Sequence, residues 1–317
     1  MSILEREIAG FPFAVVDVET TGLSPRHDRV VELAIVVVRP GAEPQLVFES
    51  LVNPGRPMAN TEIHGLTDAD VAHAPTFGEL APSVAAALSN RVVASHNVYY
   101  DAAMLGAELE RVEYPPELPC VCTMLLPCSL SADASRMSLR HACARAGVAL
   151  EREHYAAHDA LAAAQLLRIH LKMLRKARIS TFADLRTKAR KQYKFFETFE
   201  LRPIPPPRMM ATGRRAVPRS GAASARRKTP IAEYLEEVLD AVADLELTEA
   251  EVADLEASRS TLGLEPDEVR AVHAKVFFGM LARFVEDARV DIAEVARLRQ
   301  LHALLGRLGW APGEEAR

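Results

Sequence analysis

Cysteine is scarce in this sequence: Cys120, Cys122, Cys128 and Cys143 are the four thiols in 317 residues. So few do not build a disulfide framework and fit a reduced, cytoplasmic setting. The Cys-x-Cys pair followed by Cys128 also lacks the two-by-two spacing of a zinc ribbon. Aromatic residues make up only 6%, with a single Trp. No stretch approaches the roughly 18 consecutive apolar residues of a membrane span. The opening segment carries Glu5 and Glu7 and has no apolar core of signal-peptide length. These absences argue against a secreted disulfide module and a membrane protein, and the expected partners include no membrane.

What is present suits ordinary globular folding, with 49% hydrophobic and 26% charged residues. At roughly 100–200 residues per domain, the length predicts two domains, or one with a long appendage. Charge is divided unevenly along the chain. Lys172 to Lys228 holds 17 Lys or Arg against three acids, Asp184, Glu197 and Glu200, for a net of +14. With a formal net charge of −5 for the whole chain, the remaining 260 residues carry −19. A basic segment between acidic bodies points to a polyanionic partner.

Residues 1–176 read as an α/β domain. Phe13 to Glu19, Val30 to Val38 and Leu46 to Val52 are β-branched runs bounded by turn residues, and together they suggest a strand meander. Thr76 and Glu79 form a capping box before a helical pattern. A strand over 91–95, a helix from Val98 to Arg111, a strand-like Cys120 to Leu126, a short helix between Ser138 and Gly147, and a long amphipathic helix from Ala160 to Leu174 follow. Residues 177–229 have linker chemistry, basic and rich in Pro, Gly, Ser and Arg. Residues 230–311 read as an all-α helical-hairpin domain with an internal repeat. Asp244, Leu247, Glu251, Val252, Leu255 and Gly263 recur 43 positions later as Asp287, Val290, Glu294, Val295, Leu298 and Gly306. The glycine and final glutamate of a calcium loop would fall on Glu249 and Leu255, which disfavours an EF-hand pair.

Three segments carry candidate chemistry. Asp17 and Glu19 lie two residues apart in a strand, so their carboxylates share a face and make a hard-cation site. An edge strand showing acids to solvent is the alternative. Ser95-His96-Asn97-Val98-Tyr99-Tyr100-Asp101 takes a strand into a helix and puts Asp101 in its first turn. His154-Tyr155-Ala156-Ala157-His158-Asp159 is again a helix entry. An acid in a first turn also has a plain reading, since it complements the helix dipole.

Taken in order, Asp17-Val18-Glu19-Thr20-Thr21-Gly22-Leu23, His96-Asn97 through Asp101, and the His-x4-Asp of His154 and Asp159 resemble the three motifs of the DnaQ-like (DEDDh) exonuclease superfamily. Ile63-His64-Gly65-Leu66-Thr67 is similar to the segment between its first two motifs. The resemblance spans about residues 11–174 and implies a ribonuclease-H-like mixed sheet flanked by helices. It implies 3′-to-5′ hydrolysis of phosphodiester bonds from single-stranded DNA or RNA 3′ ends, in replication proofreading or repair. Asp17, Glu19, Asp101 and Asp159 would hold two Mg²⁺ or Mn²⁺ ions, and His154 would act as general base. Thr20, Leu23, His64 and Asn97 would serve the substrate side. Tyr100 stands where relatives often have Phe, and His158 where many have an acid.

The basic stretch Lys188-Ala189-Arg190-Lys191-Gln192-Tyr193-Lys194-Phe195-Phe196 interleaves aromatics with cations, as a nucleic-acid surface does. Its alternative is a helix extension whose aromatics pack back on the domain. Gln192 to Phe196 also resembles the short peptide by which bacterial replication proteins hold the sliding clamp, an attachment that would serve DNA polymerase assemblies. The C-terminal helical pair resembles TerB-like modules and suggests partner binding. A non-enzymatic nucleic-acid or replisome adaptor on an exonuclease-like fold is the competing function.

Overall fold

A computed structural model describes residues 3–58, 61–205, 216–218, 229–242, 245, 247–284 and 292–313. The chain forms two compact units, one of residues 1–134 and 139–225 and one of residues 135–138 and 226–317.

The first unit is built on five strands: β1 (Phe13–Thr20), β2 (Val30–Val38), β3 (Gln45–Leu51), β4 (Val92–Ser95) and β5 (Cys120–Cys122). Their order is β3-β2-β1-β4-β5. β1 pairs antiparallel with β2, and β2 with β3, while β4 runs parallel to β1 and β5 to β4. This is the ribonuclease-H-like mixed sheet that the motifs imply. All nine residues of β2 are buried, so its nearly unbroken apolar run is that of a strand covered on both faces. β1 is internal too, which removes the reading of Asp17 and Glu19 as acids on an edge strand.

The helices follow as α1 (Thr61–His64), α2 (Asp68–Val71), α3 (Phe77–Leu88), α4 (Val98–Arg111), α5 (Leu125–Leu130), α6 (Leu139–Ala146), α7 (Ala156–Lys176) and α8 (Phe182–Lys188). α3 begins on the expected capping box of Thr76 and Glu79. α7 packs across β1, β2 and β3, and α4 packs against β1, β4 and β5. Two boundaries differ from the sequence reading. The strand expected through Leu126 ends at Cys122, because Leu125 opens α5; Pro127 is accommodated in that helix's first turn, where no intrahelical N–H is needed. α7 starts four residues before Ala160, which brings Asp159 into its first turn.

The expected linker needs a larger correction. Residues 177–205 belong to the first unit: Ile179, Phe182, Leu185, Tyr193, Phe195, Phe196, Phe199 and Ile204 are all buried. A capping box of Thr181 and Asp184 starts α8, and a 3-10 helix spans Lys194–Glu200. The Phe182 ring meets Phe11 edge-on at 5.8 Å and Phe199 at 5.0 Å. The clamp-binding reading of Gln192 to Phe196 fails for the same reason. Its aromatic anchors are core residues, and the Gln192 Nε2 donates to the Arg186 carbonyl at 2.7 Å. The rest of the expected linker lies outside the described residues apart from 229 and 216–218, where the Val217 carbonyl accepts from the Leu51 N–H at 2.8 Å.

The second unit contains α9 (Pro230–Val242), α10 (Glu249–Leu262), α11 (Pro266–Phe284) and α12 (Ile292–Arg307). α10 starts on a Thr248–Glu251 capping box and ends at Gly263 in the left-handed conformation. Within this unit His273 is fully buried, with Nδ1 donating to the Trp310 carbonyl at 2.7 Å and Nε2 3.2 Å from the Tyr234 hydroxyl. The repeat positions Asp244, Asp287 and Val290 lie outside the described residues. Among the described residues, no helix is long and apolar enough to cross a membrane.

Candidate active site

Because β1, β4 and β5 are parallel, their C-terminal ends share one edge of the sheet. In open α/β sheets this is the edge that receives ligands. The β1 end supplies Asp17 and Glu19. A shift of register follows at once: Glu19 faces Glu32 of β2, whereas Thr20 faces Val30. That bulge ends regular pairing beside the acids and lets the chain turn away as the Thr21–Arg29 loop.

The β4 end leads into α4 through Asn97, whose φ of +68° is the left-handed conformation that asparagine tolerates. Asp101 then lies in the first turn, 4% exposed, and both its oxygens are held. The Val18 N–H of β1 donates to Oδ1 at 3.2 Å, and the Ser95 hydroxyl donates to Oδ2. One carboxylate therefore fastens β1 to β4 at the edge where the other acids sit.

The third contribution is the loop before α7. His154 has φ +56°, and its N–H donates to Asp159 Oδ2 at 2.7 Å. Its Nδ1 lies 3.5 Å from Glu19 Oε1. Glu19, His154 and Asp159 offer ligand atoms all within 4.8 Å of one another. His158 points elsewhere, with Nδ1 3.5 Å from Glu151 Oε2 and its ring against Tyr155. The histidine beside the acids is thus His154.

Electrostatics sets this cluster apart. Burial pushes Asp17 well above the usual carboxylate range, and Asp159, Asp101 and Glu19 push it further, while His154 opposes them. Asp159 is raised chiefly by burial, with His154 opposing and Glu19 adding to the rise. Asp101 is pushed up to about 7 by burial, against the hydrogen bonds from Ser95 and Val18. Acids crowded in this way ionise together only when positive charge joins them. Among the described residues, Asp159 Oδ1 is buried without a hydrogen-bond partner. Glu19, His154 and Asp159 could together hold a metal ion, and their carboxylate oxygens are donors that hard divalent cations favour.

Other expected residues take defined positions. The Thr20 hydroxyl donates to the Gly22 carbonyl at 2.7 Å, and Leu23 is half-buried in the same loop. His64 is buried, and its Nδ1 accepts from the Leu66 N–H at 3.1 Å, so the contact shown is with its own loop. Three participants escaped the sequence reading. The Tyr100 hydroxyl pairs with Thr20 Oγ1 and donates to the Gly22 carbonyl at 3.1 Å, tying the loop after β1 to α4. The same loop is anchored by Glu108, which accepts from Arg29 Nε at 2.8 Å and from the Val30 N–H at 3.1 Å. Glu32, fully buried, faces Glu19 across the strands; a lone acid within an apolar run was its signal.

A mixed sheet with buried and half-buried carboxylates gathered at the C-terminal edge of its parallel strands makes a candidate hydrolytic site. Residues 14–167 match the RNase_T family model, described as Exonuclease. A DNA polymerase III subunit epsilon-like protein of Rhodobacter capsulatus is 32% identical over 196 residues, covering 60% of this chain and 28% of the relative. A DNA polymerase III PolC-type protein of Streptococcus pneumoniae is 31% identical over 175 residues, covering 53% of this chain and 12% of the relative. The chain thus spans under a third of these relatives' length. Among solved structures, E. coli Exonuclease I in complex with a dA16 oligonucleotide aligns with TM-score 0.44 and 18% identity, covering 53% of this chain and 42% of that one.

Proposed function

We propose that the protein is a metal-dependent 3′-to-5′ exonuclease that releases nucleoside 5′-monophosphates from the 3′ ends of single-stranded DNA or RNA. The observation that carries this reading is the convergence of Asp17, Glu19, Asp101 and Asp159 from three separate segments, with His154 against Glu19. Two divalent ions bound by these acids would polarise the scissile phosphate and offset charge on the leaving oxygen. Asp101, fixed by Ser95 and Val18, would hold its carboxylate still as substrate enters. Glu19 at His154 Nδ1 favours the tautomer with its proton on that nitrogen, leaving Nε2 to accept the proton of the attacking water. Thr20 at the end of β1 and Leu23 in the loop after it would contact the terminal nucleotide, as the motif resemblance implies, with Tyr100 bracing that loop. The names of the polymerase III relatives support a task in DNA replication proofreading or repair, with a polymerase assembly as partner.

Digestion of 5′-labelled single-stranded DNA and RNA with Mg²⁺ or Mn²⁺ tests the reading. Wild type should shorten the label ladder one nucleotide at a time, and Asp17→Ala should not. Equal residual activity in the two proteins would sink it and return the adaptor function.

A further inference from the structure

The turn that delivers His154 is irregular chain: residues 148–155 belong to no helix or strand. Inside the site it is held by the His154 N–H on Asp159 Oδ2 and by Nδ1 beside Glu19. Both of those partners are acids that the proposed function commits to cations. His154 itself is left-handed at φ +56°, a conformation that persists where the surrounding chain holds it. The contacts on the two flanks of the turn therefore bear on where the imidazole sits.

The entry of the turn is fixed from α6. Arg140 Nε donates to Glu153 Oε1 and its Nη2 to Oε2, a two-point fork on the residue next to His154. α6 is seated on α7, where Cys143 packs with Ala162 and Leu166, and Val148 and Leu150 of the turn join that cluster. Arg140 thus projects from a helix packed on the one that carries Asp159. Glu153 is close enough to Asp159 for its charge to push that carboxyl upward, which places the pair beside the site. The exit of the turn is fixed from the sheet, where Glu49 of β3 shares a side-chain hydrogen bond with Tyr155. Arg140 is exposed, and an exposed ion pair contributes little to global stability. A bidentate guanidinium–carboxylate pair nonetheless sets direction as well as distance. Its consequence lies in where the neighbouring side chain points.

We infer that Arg140 is a positioning residue that, through its fork on Glu153, braces the turn and sets the placement of His154 at the site. The inference rests on the exonuclease reading for its reaction. The contribution is geometric, since Arg140 acts through Glu153 and His154 and moves no proton itself. A displacement of about 1 Å at a reacting group costs on the order of 10²-fold in rate. Loss of the brace therefore falls on turnover and leaves substrate affinity in place.

The test uses the full chain and two readouts. On 5′-labelled oligothymidine with Mn²⁺, Arg140→Ala should lower kcat by about 10- to 10²-fold with KM little changed. Arg140→Glu and Glu153→Arg should each lose as much, and the two combined should recover most of the loss because the pair is restored in reverse. Hydrogen exchange in EDTA reads the turn without turnover: the amides of residues 150–155 should exchange several-fold faster in Arg140→Ala and slow again in the swapped pair. Arg168→Ala is the control, since Arg168 makes a comparable two-point pair with Glu43, and it should move neither readout. An unchanged kcat in Arg140→Ala, a loss carried by KM alone, or a swap no better than its single variants would overturn the assignment. Unchanged exchange would overturn the brace whatever the activity. If wild type is as inactive as Asp17→Ala while exchange still quickens in Arg140→Ala and recovers in the swap, the brace stands and the exonuclease reading falls.

Discussion

Two groups of acids in the first unit, buried except for the half-buried Asp17, are treated in opposite ways. Glu108 is 1% exposed and meets its own cations, Arg29 at 2.8 Å and Arg111 at 3.6 Å, together with the Val30 N–H. Asp17, Asp101 and Asp159 crowd one another, and His154 is the group that opposes the upward shift at Asp17 and Asp159. Where the chain supplies the countercharge, the acid is a structural clasp that pins the loop after β1. Where it does not, the countercharge has to come from solution. A buried acid thus signals function through what its neighbours fail to provide.

The comparison can be broken most forcefully at the site. If the acids act by holding cations, Asp17→Asn should lower kcat/KM on oligonucleotides by about 10³-fold, equivalent to roughly 4 kcal/mol. His154→Gln should cost about 10²–10⁴-fold through the lost base. Single-turnover assays at saturating metal would measure both, and a loss that higher metal fully rescues in His154→Gln would contradict its role. At the clasp the readout is stability. Arg29→Ala leaves Glu108 buried with a longer contact to Arg111, so unfolding should become easier by about 2 kcal/mol, a discount on the usual loss because Arg29 is itself partly exposed. An unchanged urea midpoint would show that the clasp is incidental.

The sign of pH dependence sharpens the contrast further. Asp101 is raised in the folded protein to about 7, whereas an unfolded aspartate titrates near 3.9. Between those values the native state keeps a proton that the unfolded state releases, so stability falls as pH rises. Metal-free protein should therefore melt at progressively lower temperature from about pH 4 to about pH 7, and added Mg²⁺ or Mn²⁺ should flatten that decline. Asp101→Asn should raise the metal-free melting point near pH 8 by roughly 2–4 °C, on the order of 1 kcal/mol, while reducing activity. A lower melting point would show that the carboxylate's hydrogen bonds outweigh its repulsion. The smallest effect belongs to Tyr100→Phe, which removes the tie to Thr20 and Gly22. The expected cost is about 1 kcal/mol, seen as a several-fold rise in KM with kcat little changed.

The site acids were legible in the sequence because their chemistry imposes local spacing: i and i+2 on a strand, and a first turn after a strand or loop. The sheet was legible for a similar reason, since β1, β2 and β4 are short apolar runs between turns. What was hidden depends on partners far along the chain. Tyr100 acts through Thr20 and Gly22, about 80 positions away, and Glu108 through Arg29. Residues 177–205 were misread because a basic stretch with isolated aromatics looks like linker until Phe11, Phe13 and Phe182 are brought alongside. The clamp-peptide resemblance rested on those same aromatics, whose burial depends on tertiary contact.

The backbone at His154 bears on how such a domain would drift if catalysis ceased to matter. At φ +56° a glycine or asparagine sits more easily than an imidazole, whose Cβ is strained there by about 1 kcal/mol. Random change at this position therefore runs downhill in stability toward residues that cannot move a proton. A chain retired to pure scaffolding would be free to take that path, and His154→Gly is the variant that follows it: unfolding free energy held or raised, turnover gone. Glu113, Arg178 and Leu245 share that left-handed conformation, so turnover, and not backbone geometry, decides whether His154 is under chemical use.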